Sequence, residues 1–148
     1  MKEIIGNNSK EKAIAFTRAV VKLDVGINIS AGIVLTLMPG WTNELFFDRA
    51  VFPVWVWVGI GVGFLVFAGW QIGDLMQPGG FTMQNLHRAA MLAWGPVIAL
   101  TIGLMSAIGR ELLLPARVFL WAANGYMLLL GGLYWWAAEK RSGTAGER

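Results

Sequence analysis

The 148-residue chain has no cysteine and a single histidine, His87. The first absence excludes disulfides, thiolate metal sites, thiol redox chemistry and a cysteine nucleophile. The second excludes a multi-histidine metal site, or a haem held by histidine on both faces, within one protomer. Charge is scarce as well. Asp, Glu, Lys and Arg make up 14% of the residues, where a soluble domain carries about a quarter. No HExxH, no Ser/His/Asp set, no paired carboxylates on one helix face and no glycine-rich phosphate cradle can be read from the chain. Neither a cofactor nor a metal is therefore expected, and the expectation leans away from an enzyme.

What the chain does have is apolar. Hydrophobic residues reach 56%, and the mean hydropathy is +0.57. The sequence holds 19 glycines and 8 tryptophans. Glycine is commoner in membrane helices than in soluble ones, and Trp gathers at bilayer interfaces. The expected solvent for much of the surface is lipid.

Four apolar segments are each long enough to cross about 30 Å of hydrocarbon as helices: 16–38, 51–71, 89–108 and 116–137. The first ends at Pro39-Gly40. Pro78-Gly79-Gly80 supplies the turn before the third, which Thr82 or Asn85 would cap. The nine-residue connection from Gly109 to Arg117 is tight, so the last two spans should be antiparallel neighbours. Between the first two spans, Trp41, Leu45, Phe46 and Phe52 alternate with Asn43, Glu44, Asp48 and Arg49, the pattern of a short interfacial helix. The expected fold is an all-α, antiparallel four-helix transmembrane bundle over 16–138. It is flanked by an N-terminal tail at 1–15 and a polar tail at 139–148. In size and layout the chain is similar to small four-span bacterial membrane families such as the DoxX-like group, and nothing functional is carried over from that likeness.

The basic excess reads as topology. The formal charge is +3, and nine of the twelve Lys and Arg, including all five lysines, fall on the side of the two termini. By the positive-inside rule both termini should be cytoplasmic, in a bacterial cytoplasmic membrane, with no nucleic-acid partner expected. No cleavable signal is expected, because the first apolar segment is too long and Pro39-Gly40-Trp41 follows it.

One stretch conflicts with its surroundings. Arg18 to Met38 is apolar enough to enter a bilayer, yet it carries Arg18, Lys22, Asp24 and Asn28. A charge inside a membrane segment is a functional-site hypothesis by default. Arg18 and Lys22 can snorkel to the headgroups. Asp24 and Asn28, four apart, share a helix face and need protein partners. Measured at 1.5 Å per residue from one boundary, Asn28 lies at ~15 Å, Thr101 and Asn124 at ~10 Å, Asp24 at ~21 Å and Tyr134 at ~25 Å. These five form a candidate polar seam. It either pins the helices together or lines a ligand or transport path, and the pinning role is the leading expectation. Arg88 is a further candidate to reach Asp24.

Three other features are singled out. Gly59/Gly63 and Gly69/Gly73 are two GxxxG pairs, which allow close approach of an internal neighbour, a second copy or another membrane protein. Pro96 should kink the third span. Arg110 and Arg117 are candidate contacts for anionic headgroups at the opposite face. Three function classes remain: a non-enzymatic accessory, scaffold or interaction subunit; an oligomeric transporter or channel built on the seam; and a lipid- or quinone-binding enzyme subunit. The first is favoured by the missing catalytic set and the minimal loops.

Overall fold

The computed structural model describes the backbone of residues 2–142 and the side chains of residues 11, 12 and 14–141. Six α-helices follow in order: α1 Lys2–Leu37, α2 Pro39–Phe47, α3 Val54–Trp70, α4 Met83–Met105, α5 Ala107–Glu111 and α6 Leu114–Ser142. A π-helical turn, Gln71–Leu75, continues α3. No strand occurs among the described residues.

Local chemistry sets the boundaries. A residue preceding proline is pushed out of the α region. Met38 accordingly sits at φ −128°, ψ 47°, while Pro39 opens α2 at a position where its missing N–H costs nothing. The helix expected between the first two spans is thus present. It ends at Asp48, which takes a left-handed φ of 56° and returns its N–H to the Glu44 carbonyl. After the π turn the chain reverses at Gly79, whose φ of 82° suits glycine alone at low cost. Thr82 then caps α4, its Oγ1 accepting from the Asn85 N–H at 3.1 Å. Pro96 lies inside α4, which remains one helix.

Three boundaries differ from expectation. Residues 2–15, read as a tail, continue α1 as helix, and residues 139–142 of the second tail continue α6. Residues 143–148 lie outside the described ones. The third span stops at Met105 instead of running to 108. Ser106 turns the chain there: its hydroxyl donates to the Gly103 carbonyl at 2.7 Å and accepts from the Gly109 N–H at 3.5 Å.

Among the described residues, four stretches are long and apolar enough to cross a membrane: Ile14–Leu37, Val54–Leu75, Met83–Met105 and Leu114–Arg141. They pack as two pairs. α1 runs along α3, and α4 runs along α6. The pairs meet where α1 touches α6, where the π turn touches α4 and, at the other end, where α2 touches α6, while α3 and α4 do not pack along their lengths.

Small residues make both pairings tight. A Cβ on Gly61 would lie 2.8 Å from the Gly32 carbonyl oxygen, and one on Gly32 would lie 2.9 Å from that of Gly61. Gly131 lies directly against the Trp94 indole, whose Nε1 donates to the Leu128 carbonyl at 3.2 Å. Two apolar cores result. One gathers Val21, Leu75, Phe81, Leu86, Ala90 and Ala138 around Tyr134. The other gathers Phe47, Trp57, Leu104, Leu112 and Ala116 at the far end. There Asn43 clamps Phe52 through both its amide oxygen and nitrogen, and Arg49 pairs with Glu111 at 2.6 Å. The outward faces stay apolar: Trp55, Met105 and Leu129 are each more than 70% exposed. A surface of this kind belongs against lipid or another protein.

The Gly131 contact is testable. Gly131→Ala should lower unfolding free energy by about 1–3 kcal/mol through overpacking against Trp94. Gly132→Ala, where nothing lies within 4 Å, should leave stability unchanged or slightly raised. Reversible unfolding in mixed detergent micelles reads both.

Candidate functional site

The inner face of α1 is built from Thr17, Val21, Asp24, Val25, Asn28 and Gly32, all buried and all at helical spacing. Arg18 and Lys22 fall on the exposed side, where the Arg18 guanidinium lies 5.2 Å from the centre of the Phe81 ring. Helical periodicity alone therefore carries the cations outward and the acid inward. Asp24 is 3% exposed.

Its carboxylate is the hub of a closed cluster. Oδ2 accepts from Gln71 Nε2 at 2.7 Å, from Asn28 Nδ2 at 3.2 Å and from the Tyr134 hydroxyl at 3.5 Å. Oδ1 accepts from the Tyr126 hydroxyl at 3.1 Å. Asn28 Nδ2 also donates to Gln71 Oε1 at 3.2 Å, and Gln71 Nε2 donates to the Tyr134 oxygen at 3.2 Å. No described ion pair involves Asp24. Neutral donors do the whole work of satisfying it.

Three elements converge here: α1, the π turn and α6. The π turn presents Gln71, whose carbonyl accepts from the Met76 N–H at 2.8 Å, five residues on. Such turns insert an extra residue and re-aim side chains, and they are frequent at functional sites. Tyr126 and Tyr134 stand about two turns apart on α6 and close on the carboxylate from either side.

Asp24, Asn28 and Tyr134 are thus brought together as the sequence reading placed them. Thr101 and Asn124 are not part of the cluster. They form a separate bond between α4 and α6, with Asn124 Nδ2 donating to Thr101 Oγ1 at 2.8 Å. The single seam divides into two. Arg88 does not reach Asp24 and lies exposed on α4. Arg110 is exposed, whereas Arg117 donates through Nη2 to the carbonyls of Arg110 at 2.9 Å and Leu112 at 3.4 Å, closing the turn into α6. Gly59, Gly63, Gly69 and Gly73 have nothing within 4 Å of a notional Cβ, and the internal contact of α3 uses Gly61 instead.

Two members of the cluster were missed from sequence, Gln71 and Tyr126. For Tyr126 a signal existed: it lies ~18 Å along α6 from its start, and Asp24 lies ~20 Å back from the end of α1. Gln71 was visible only as the first polar residue after the apolar run of α3, and read as a membrane boundary.

No buried polar atom of the five side chains lacks a hydrogen-bond partner. Among the described residues, no group of three His, Cys, Asp or Glu could hold a metal ion. Shallow surface grooves border the helices. One of about 750 Å³ is lined by Trp70, Met83, Gln84, His87, Arg88, Met91 and Leu92; one of about 530 Å³ is lined by Lys22, Leu23, Gly26, Ile27, Ser30 and Ala31. Neither includes a member of the cluster. No protein-family model matches the chain, and neither does any curated protein or solved structure.

Asp24→Ala removes the acceptor of four donors and leaves buried N–H and O–H groups unpaired, each at about 1–3 kcal/mol. It should destabilise the fold by about 2–4 kcal/mol. Tyr126→Phe removes one half-buried bond and should cost about 0.6–1.7 kcal/mol. Unfolding titrations of the two variants would contradict the hub role if Asp24→Ala were the milder.

Proposed function

We propose that the chain is a non-catalytic integral membrane subunit, a preformed helical body that presents one face of α3 to another membrane helix. On this reading the four long helices cross the bilayer in alternating directions, with both termini on the cytoplasmic side. The distribution of Lys and Arg supports that orientation. α2 lies in the opposite interface, its exposed Trp41 and Leu45 toward the headgroups.

The observation that carries the reading is the closure of the Asp24 cluster. A binding or transport site keeps some donor, acceptor or charge available to its cargo. Here every donor of the cluster and both carboxylate oxygens of Asp24 are engaged within it, and the cluster lines neither groove. Such a network suits a joint between helices better than a path through them. Lipid gives little hydrophobic drive for helix association, so packing and interhelical hydrogen bonds must hold the pairs together.

The partner face is supported by the glycines. α3 spends Gly61 on α1 and leaves Gly59 and Gly63, one turn apart, open on the other side. Glycine in a helix interior costs about 0.5–1 kcal/mol relative to alanine. Close approach of a second helix, from another copy or another membrane protein, offsets that cost.

Cysteine crosslinking from α3 in native membranes tests this. Crosslinked species should form and should fall at least fivefold in Gly59→Ile/Gly63→Ile, with thermal stability retained. A chain that stays monomeric and partnerless defeats the subunit reading. So does an Asp24→Asn variant that loses a transport activity while keeping full stability.

A further inference from the structure

The larger groove has chemistry that the polar joint does not use. It opens between the end of α3 and the first half of α4, where the two helices are not packed together. Gln84, His87, Arg88, Met91 and Leu92 share one face of α4, spaced at three and four residues. That face is distinct from the buried one of Leu86, Ala89, Ala90 and Ala93, although His87 at its edge also turns to α6, its ring 4.5 Å from that of Trp135 and its Nε2 3.9 Å from Glu139 Oε1. Trp70 forms the opposite wall.

Two observations define an occupant. The first is an unsatisfied charge. Arg88 is exposed and makes no hydrogen bond or ion pair with a described residue. It stands five residues into α4, ~7 Å above the helix start. On the membrane reading, which this inference rests on, that is the depth where headgroup gives way to hydrocarbon. A bare guanidinium is poorly placed there without an anion, and its planar fork matches phosphate oxygens. The second is the gradient along the groove. Gln84 adds amide donors on the headgroup side of Arg88, while Met91 and Leu92, 59% and 50% exposed, continue it as an apolar track toward the bilayer centre. Anion recognition at one end and hydrocarbon at the other is the profile of a phospholipid. Basic pockets between membrane helices on the cytoplasmic side bind anionic headgroups.

We propose that this groove is a specific site for one anionic glycerophospholipid. Its phosphate is held by Arg88 and Gln84, and an acyl chain lies along Leu92, Met91 and Trp70. The lipid fills the side on which α3 and α4 leave each other uncovered, completing the inner end of the bundle.

The test is native mass spectrometry of the full chain in neutral detergent, titrated separately with phosphatidylglycerol, phosphatidylcholine and inorganic phosphate. One phosphatidylglycerol per chain should be retained, at least tenfold more strongly than phosphatidylcholine, and inorganic phosphate should not displace it. R88Q should weaken retention about fivefold, the value of one basic residue near an anionic headgroup, while R110Q should not change it. Leu92→Glu, at the apolar end, should weaken retention as well, so the outcome does not hang on one substitution. Equal retention of the two lipids, or an R88Q protein that holds phosphatidylglycerol unchanged, overturns the proposal. Displacement by phosphate alone overturns it too. A chain stripped from membranes by alkaline carbonate would defeat the membrane reading itself; an integrated chain without lipid preference defeats only the lipid site.

Discussion

The Asp24 carboxylate must be satisfied without a cation, and much of the structure answers to that constraint. An interhelical hydrogen bond in a membrane contributes about 0.6 kcal/mol on average. A buried polar group left without a partner costs about 1–3 kcal/mol. The cluster therefore fixes the relative placement of α1, α6 and the π turn less by the strength of any bond than by the cost of separating them. Displacing α6 strands the carboxylate of α1, and straightening the π turn removes its shortest donor, Gln71 at 2.7 Å.

Within each pair the helices are held by other means. α1 and α3 meet backbone to backbone at Gly32 and Gly61, and α4 and α6 meet at Gly131 under the Trp94 indole. These contacts need shape and no charge. Between the pairs an apolar core is continuous at each end, and the polar cluster lies against one of them through Tyr134, which belongs to both. The molecule combines two small-residue helix pairs with a buried polar joint, and the hydrogen bonds of that joint depend on how α1, the π turn and α6 are placed relative to one another.

Much of this was legible in the sequence. Hydropathy located the four long helices, Pro39 and Gly79 located the reversals, and the spacing of Asp24 and Asn28 identified the face that needed partners. Linear depth counting also brought Tyr134 into range. It failed where the helix is not ideal or where several pairings are equally plausible. Gln71 depends on the π turn, which changes its phase and which no residue pattern announces. Thr101 and Asn124 lie at a level compatible with Asn28, but depth says nothing about azimuth, and they pair across α4 and α6 instead. The glycines show the same limit: Gly59, Gly61 and Gly63 lie within one turn of each other, and only the packing of α1 reveals that Gly61 is the inward one.

The central claim is that Asp24 and the tyrosines of α6 are energetically coupled as a joint between helices. A double-mutant cycle of Asp24→Asn with Tyr126→Phe, read by reversible unfolding, measures that coupling directly. The account predicts a coupling energy of about 1 kcal/mol, with the double variant less destabilised than the sum of the singles. Strict additivity would contradict it, because the carboxylate and the hydroxyl would then contribute independently of each other.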